Sequence, residues 1–321
     1  MSGLLTILNV GQGDAIILHN RETATAAVID CAMPGASLAT HYLRDADVQH
    51  VAGVVVTHLD DDHYGGVPQL LRDMKPRPEL VAYGVAKGYR AAHQQVDTFF
   101  TQMYSYEQRY GCRYVQPVQG ASIGSPEHGV HLEFLGPNDD EERRAVRYNN
   151  ANFASAIIRV SVGDLTAIVP GDAPPWRWDR LRVGAPDLLR ADVLLLPHHG
   201  AAHVDEHVSL ETLLDLVQPR VICISVGSSN RYGHPRAATL DVAGAWAATH
   251  DARLVCTQLN CACSEGTGPN GRLAPGTACG GHLTVEHDGT AVSVRTEASD
   301  HMAFVAAQTA PRCALRVATA A

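Results

Sequence analysis

A loop rich in metal-capable side chains follows directly on an apolar strand, and it limits the possible folds more than any other feature of the sequence. Residues 51–56 form a short β-branched run that is typical of a buried strand. His58, Asp60, Asp62 and His63 come next, within six residues. Two glycines and an apolar stretch then predict a helix. The metal-capable residues therefore lie at a strand-to-helix junction.

The spacing within this loop suits two metal ions side by side. His58 and Asp60 are two residues apart, so in an extended chain their side chains point the same way. Asp62 and His63 lie at the next turn and can face a second centre. Water bound to such ions loses several pKa units and yields hydroxide near neutral pH. The alternative is a solvated acidic loop whose aspartates cap the helix.

The pattern His58-x-Asp60-x-Asp62-His63 resembles the metal-binding loop of the metallo-β-lactamase fold, which reads His-x-His-x-Asp-His. An aspartate replaces the second histidine here. This variant is similar to the hydrolase domain of ComEC, the DNA-uptake channel protein, and to its soluble relatives. The resemblance covers most of residues 3–295. It implies an α/β fold, an αββα sandwich with the site at one edge of the paired sheets.

The resemblance also assigns residues far from this loop. Asp172 ends a strand and matches the fold's metal-bridging aspartate, although a helix cap uses the same residue type. His199 matches a His-Gly ligand motif and is expected at the second ion. Adjacent side chains of an extended chain point apart, so His198 is expected to face the substrate or to pack below the site. Asn152 is the residue placed nearest the position of a third histidine, with Asn149 and Asn150 as substitutes and turn chemistry as the alternative.

Three further residues are implied less directly. His234 matches a ComEC-like segment and is expected either to donate a proton to a leaving alkoxide or to hold a phosphoryl oxygen, unless it is only fixed at a turn before proline. Asp30, at the end of a strand, matches an acidic residue that orders the metal loop. Asp14 is either a support of the site or a turn residue.

The predicted site is therefore a dinuclear centre. One ion is expected at His58, Asp60 and Asp172 with Asn152 nearby, and the other at Asp62, His63, His199 and Asp172. The residues expected to act in catalysis are Asp62, His234 and His198. Carboxylates in place of imidazoles make the site harder, which favours Mn²⁺, with Zn²⁺ as the other possibility.

Two such ions can clamp a phosphoryl group, so the ligand set predicts a metal-dependent phosphodiesterase or nuclease that uses a metal-bridged hydroxide. The expected substrate is a phosphodiester, either a nucleic acid or a nucleotide. The formal net charge of −9 argues against a broad basic surface, so contact with nucleic acid must be local. The alternatives are hydrolysis of a lactone, thioester or amide, and a metal-binding regulatory module without catalysis.

Length and composition predict one main domain. The chain has 321 residues, of which 45% are hydrophobic and 18% charged. We expect a hydrolase domain at residues 1–295 and an alanine-rich tail at 296–321. The start of the sequence shows no secretory signal, and no run of 18 apolar residues occurs. These observations predict a cytoplasmic protein without the membrane channel of ComEC.

Half of the eight cysteines cluster between residues 256 and 282, at Cys256, Cys261, Cys263 and Cys279. In a cytosolic chain such a cluster indicates metal binding or free thiols more often than disulfides. An additional structural Zn²⁺ is one hypothesis. The spacing matches no standard ribbon or finger, so pairing or unligated thiols are the alternatives.

Overall fold

Two β-sheets face each other and carry helices on their outer faces. The computed structural model describes residues 3–84, 94–202, 208–228, 230–260, 262–263, 279–297, 305 and 311–314. Its strands are β1 (Gly3–Ile7), β2 (Ala15–Asn20), β3 (Thr25–Cys31), β4 (His50–Val56), β5 (Leu80–Tyr83), β6 (Arg113–Val115), β7 (Ser122–Ser125), β8 (Val130–Gly136), β9 (Ile157–Val162), β10 (Leu165–Val169), β11 (Val193–Leu195), β12 (Val221–Ile224), β13 (Arg253–Cys256), β14 (Leu283–His287) and β15 (Val292–Thr296).

Among the described residues, eight strands form one sheet and seven form the other. The orders are β15-β14-β1-β2-β3-β4-β5-β6 and β13-β12-β11-β10-β9-β8-β7. The helices are α1 (Gly35–Asp45), α2 (Asp61–Tyr64), α3 (Val67–Asp73), α4 (Gln94–Tyr110), α5 (Asp139–Tyr148), α6 (Trp176–Gly184), α7 (Leu210–Val217) and α8 (Ala237–Thr249). The predicted αββα sandwich is confirmed.

The strands are apolar on both faces because each sheet packs against the other sheet on one face and against helices on the other. Ile16 and Leu18 of β2 belong to the core between the sheets, whereas Ile17 between them packs toward the helices. Neighbouring side chains of a strand point to opposite faces, so a strand buried on both sides has no polar alternation. This explains the unbroken apolar run of β4, whose residues 51–56 are all buried.

Parallel pairing gathers several strand ends at one edge. β3, β4 and β5 are parallel in the first sheet, and β10, β11, β12 and β13 are parallel in the second. The carboxyl ends of parallel strands meet at the same edge of a sheet, where ligand loops collect in α/β proteins. The loops after β4, β10 and β11 lie there and carry the residues described below.

The described helices include none with both the length and the apolar character needed to cross a bilayer. Near the C-terminus, a 3₁₀ turn at Arg312–Ala314 contacts α8 and β13. The domain boundary between residues 295 and 296 stays a prediction.

A buried ion pair holds the segment that leads into β9. Arg177 in α6 is fully buried, and its guanidinium donates hydrogen bonds to Glu141 Oε2 at 2.8 Å and to the carbonyl of Ser155. Arg180 contacts the other oxygen of Glu141 at 3.2 Å. Burial alone would lower the pKa of Arg177, and the Glu141 carboxylate opposes that effect.

We expect Arg177→Met to destabilise the protein by about 3 kcal/mol, because it leaves a buried carboxylate poorly compensated and a carbonyl without its donor. The matched control is Arg182→Met, which removes an exposed pair with Asp179 in the same helix and should cost less than about 1 kcal/mol. Urea unfolding measures both. Equal losses for the two variants would contradict the structural role of the buried pair.

Candidate metal centre

The loop after β4 is held by a buried carboxylate from the neighbouring strand. Asp30 ends β3 and accepts hydrogen bonds from the backbone N–H of Thr57 at 2.6 Å, from Thr57 Oγ1 at 2.6 Å and from His63 Nδ1 at 2.7 Å. Asp30 and His63 are both fully buried. These hydrogen bonds fix the start of the loop and the ring of His63 together.

The hydrogen bonds of three histidines leave the same ring nitrogen available. His63 Nδ1 faces the Asp30 carboxylate, and His199 Nδ1 lies 2.9 Å from the carbonyl of Ser225, which can only accept. His58 Nδ1 lies 3.1 Å from Thr57 Oγ1, whose own hydrogen goes to Asp30. In the neutral form of each ring, Nδ1 therefore carries the proton and Nε2 has the lone pair, as in metal-ligating histidines.

Asp172 lies between these imidazoles, at the loop that follows β10. Its Oδ1 is 3.3 Å from His63 Nε2 and 3.7 Å from His199 Nε2. Its Oδ2 is 3.6 Å from His58 Nε2 and 3.4 Å from His198 Nε2. One carboxylate thus presents one oxygen to each side of the centre, which is the arrangement of a ligand shared by two ions.

The donor set fits divalent cations. The Nε2 atoms of His58, His63 and His199 and Oδ1 of Asp172 are buried and have no hydrogen-bond partner in the described part of the chain. Buried polar atoms are normally satisfied, so such atoms that converge need an explanation. Ligand atoms lie within 4.8 Å of one another in His58, His63 and Asp172, in Asp62, His63 and His199, and in Asp14, Asp30 and His63.

The pKa shifts of the clustered side chains also indicate a centre that can hold a cation. Burial alone would raise the pKa of Asp172, but His63, His199 and His58 hold it well below its usual range. Burial would lower the pKa of His199, yet Asp172 and Asp14 raise it to about 9. The same balance, dominated by Asp172 and Asp30, raises the pKa of His63 well above its usual value. Protons therefore compete with a metal ion for these nitrogens, and metal affinity should increase with pH.

The turn at residues 11–14 packs against the metal loop. Asp14 donates its backbone N–H to the carbonyl of Asp62 at 3.0 Å, and its Oδ1 lies 3.7 Å from His199 Nδ1. Burial raises the pKa of the Asp14 carboxyl. Gly13 has φ +118°, and a Cβ there would stand 2.3 Å from the carbonyl of Asp62. Only glycine permits this approach, so the turn supports the site directly.

The loop after β11 has an unexpected backbone. His198 and His199 both have φ +53°, the left-handed region, rather than the extended conformation from which opposite directions were predicted. Such conformations are strained for residues with a side chain and occur often at functional sites. Both rings therefore reach Asp172, His199 from a buried position and His198 from one with 38% of its side chain exposed.

The remaining predicted residues lie at the rim of the centre. Asp60 Oδ2 is 3.5 Å from His58 Nε2, with 46% of the Asp60 side chain exposed, and Asp62 Oδ2 is 3.6 Å from His199 Nε2. The His234 ring centre lies 5.0 Å from that of His198. Burial and the nearness of His198 lower the pKa of His234 to about 4. The structure thus brings these side chains to one place.

Asn152 is half-buried in a short 3₁₀ segment, and within the described residues its side chain forms no hydrogen bond to the His and Asp groups. Ser155, directly after this segment, contacts them instead. Its Oγ accepts from the backbone N–H of Asp172 at 3.0 Å and lies 3.5 Å from His58 Nδ1. The pattern before β9 marked this segment but gave no sign that the serine was the contacting residue.

No protein-family model matches the chain. Two competence proteins are similar to it: ComE operon protein 3 of Bacillus subtilis (strain 168), 21% identical over 263 residues, and competence protein ComA of Neisseria gonorrhoeae, 26% identical over 273 residues. The matches cover 75% and 83% of this chain. They cover 30% and 33% of the two relatives, so the chain spans about a third of their length.

A His-x-Asp-x-Asp-His loop lies at one edge of the paired sheets, and an aspartate and a histidine reach it from the opposite sheet. Together these features define a metallo-β-lactamase fold protein. The chain contains buried groups of histidine and aspartate that are candidates for metal binding. Within that class it is a distant relative of the ComEC and ComA competence proteins.

Solved structures with detectable similarity include CmlA, a diiron β-hydroxylase from Streptomyces venezuelae (12% identical, 69% of this chain and 44% of that chain, TM-score 0.42). A diphosphatase of the PhnP family is 14% identical over 69% of this chain and 85% of its own, with a TM-score of 0.40. Human tRNase Z, short form, is 14% identical over 68% of this chain and 91% of its own, with a TM-score of 0.35. None of these likenesses bears on the activity of this chain.

We expect Asp30→Asn to weaken binding of Mn²⁺ or Zn²⁺ by about 10- to 100-fold. An amide offers one acceptor oxygen, so its NH₂ group would face one of the donors on Thr57 or His63. Asparagine also tolerates the left-handed conformation of residue 30, φ +55°. The substitution should therefore change the hydrogen bonds of the side chain and leave the backbone conformation as it is. Titration calorimetry measures the affinity, with the exposed Asp45→Asn as control. Unchanged binding would show that Asp30 does not order the ligands.

Proposed function

We propose that the chain is a metal-dependent hydrolase of phosphodiesters, acting on a nucleic acid or a nucleotide. The observation that carries the proposal is the position of Asp172, whose two carboxylate oxygens face different imidazoles, His63 and His199 on one side and His58 and His198 on the other. A shared carboxylate holds two ions at a fixed separation. Two divalent ions bound there would acidify water and neutralise the charge of a phosphoryl group.

The residues of the chain divide between two tasks. His58, His63, His199, Asp62 and Asp172 would hold the ions, with Asp60 beside His58 at the exposed rim. The mixture of imidazole and carboxylate suits Mn²⁺ and Zn²⁺, and the carboxylate share favours Mn²⁺. His198, with 38% of its side chain exposed, and the neighbouring His234 would contact the substrate.

His234 is better placed to hold an oxygen than to donate a proton. Its Nδ1 is buried without a hydrogen-bond partner in the described residues, and Asn230 and Asn260 fix its backbone. Its pKa of about 4 keeps the ring neutral at physiological pH, and cations at the centre would lower that pKa further. A neutral imidazole donates a hydrogen bond to a phosphoryl oxygen without losing its proton.

The surface around His234 carries side chains that can bind a phosphodiester locally. Arg236 lies close enough to lower the pKa of His234, and the charge of Arg231 interacts with those of Asp62 and Asp61. The ring of Tyr232 is stacked with that of His234, with 6.0 Å between the ring centres, and 44% of the Tyr232 residue is exposed. Arginines bind phosphates and an exposed aromatic ring stacks on a base. The overall charge of −9 therefore does not exclude a nucleic-acid substrate.

Metal-loaded protein should cleave at least one member of a panel of single- and double-stranded DNA, RNA, cyclic dinucleotides and bis-p-nitrophenyl phosphate. Asp172→Asn should reduce kcat by at least about 10³-fold, because stabilisation of developing charge by the ions is lost. The matched control, exposed Asp187→Asn, should retain full activity. Loss of activity in EDTA and its return with Mn²⁺ complete the test. No cleavage of any phosphodiester by metal-loaded protein would refute the proposal.

His234→Gln separates the two roles of His234. If the ring holds a phosphoryl oxygen, kcat/KM should decrease by about 10- to 100-fold, 1.4 to 2.7 kcal/mol, for substrates with either good or poor leaving groups. If it protonates the leaving group, p-nitrophenyl esters should be nearly unaffected while dinucleotides lose activity. His41→Gln, an exposed histidine of α1, is the control. We expect the first pattern, and the second would assign the proton donor to His234.

One observation favours a second candidate, hydrolysis of an ester, lactone or thioester. A small apolar recess adjoins His58 and is lined in part by Leu59, Ala145, Ala151 and Ala154. Alkyl groups rather than phosphates suit such a surface. Turnover of p-nitrophenyl acetate or a lactone, with no cleavage of phosphodiesters, would assign the chain to this class.

A further inference from the structure

We infer that Cys256, Cys263, Cys279 and Cys313 form a second, thiolate metal site that takes Zn²⁺. This set differs from the one predicted from sequence, because Cys261 lies outside the described residues and Cys313 comes from the segment expected to be a tail. The proposal is independent of the proposed activity.

Four separate segments bring these cysteines into one apolar cluster behind the second sheet. Cys256 ends β13, and its carbonyl accepts the backbone N–H of Gly280, next to Cys279, at 2.9 Å. The carbonyl of Cys263 accepts the backbone N–H of Arg312, next to Cys313, at 2.9 Å. Cys256, Cys263 and Cys279 are at most 7% exposed, and Cys313 packs against the same cluster.

The sheet register separates this cluster from the other strand cysteine nearby. Cys223 of β12 is paired with Val255, and both belong to the core between the sheets. Cys256 follows Val255 and therefore points to the opposite face, toward the helices. The quartet thus lies away from the His and Asp centre, which contains no cysteine among the described residues.

One thiol already has the environment of a ligand. The backbone N–H of Asn260 donates to Cys263 Sγ at 3.2 Å, while the backbone N–H of Cys263 returns a hydrogen bond to the carbonyl of Asn260 at 3.0 Å. An N–H aimed at sulfur stabilises negative charge there, and thiolate is the form that binds metal. Thiolate is a ligand for which Zn²⁺ has a strong preference.

Burial disfavours a redox or nucleophilic role for these thiols. Cys256, Cys263 and Cys279 are buried in an apolar cluster. Reactive cysteines instead lie in partly exposed, electropositive surroundings.

Binding should also tighten the C-terminal segment. Among the described residues, groups of three ligand atoms within 4.8 Å occur at the His and Asp centre and not at these thiols. The thiols must therefore draw together around an ion. Residues 311–314 are already held by the ion pair of Arg312 with Asp241 of α8 at 2.5 Å, so Cys313 is the ligand through which Zn²⁺ would fasten this segment to β13.

Cobalt substitution tests the site on the full chain. Under reducing conditions, Co²⁺ should produce a sulfur-to-cobalt charge-transfer band whose final intensity corresponds to one thiolate-bound ion per chain, and the band should disappear when Zn²⁺ displaces the Co²⁺. The band should persist in Asp172→Asn, because the other centre has only nitrogen and oxygen ligands. Cys313→Ser should weaken Co²⁺ binding by more than about tenfold, and Cys112→Ser, outside the quartet, should leave it unchanged.

Tryptic cleavage after Arg312 provides a measurement on the unmutated protein, and Zn²⁺ should slow it. Three results would overturn the proposal: no thiolate band with all thiols titrating as free, which would make the cysteines inert core residues; a disulfide within the quartet in protein purified without reductant; or a band that Cys313→Ser leaves unaltered.

Discussion

The hydrogen bonds accepted by the Asp30 carboxylate are the constraint on which the centre depends. They join the end of β3 to the loop after β4 and orient His63 and, through Thr57, His58. A fully buried carboxylate is costly unless donors surround it, and here three donors do so. Because the donors come from the metal loop itself, the charge of Asp30 is stabilised only when that loop is in place. The metal loop therefore becomes ordered in the same folding step in which the Asp30 carboxylate becomes buried.

Much of the architecture could be predicted because it depends on local patterns. The apolar run before His58 and the runs before Asp172 and His199 are strands, and each ligand follows its strand at the same edge of the paired sheets. The resemblance of one loop to a known fold then supplied the partners of that loop. Fold class and the gathering of the predicted His and Asp residues were accessible in this way, because strand ends determine both.

The features that could not be predicted depend on contacts between segments far apart in the chain. Ser155 supports Asp172 through a close approach that requires Gly171, where a Cβ would lie 2.4 Å from Ser155 Oγ. The left-handed conformations of His198 and His199 could not be inferred from their spacing, and an extended chain was the wrong premise for the two side chains. Cys313 joined the cysteine cluster from beyond the predicted domain boundary. Sequence spacing carries no information on such approaches.

The candidate ligands are distributed over both sheets: His58, Asp62 and His63 follow a strand of the first, and Asp172 and His199 follow strands of the second. Neither half of the chain holds a complete set of donors. Cation affinity consequently reports how firmly the two halves are docked, and a cation that binds only the docked form adds its binding free energy to their association. A split version of this chain would reassemble more readily when divalent ions are supplied.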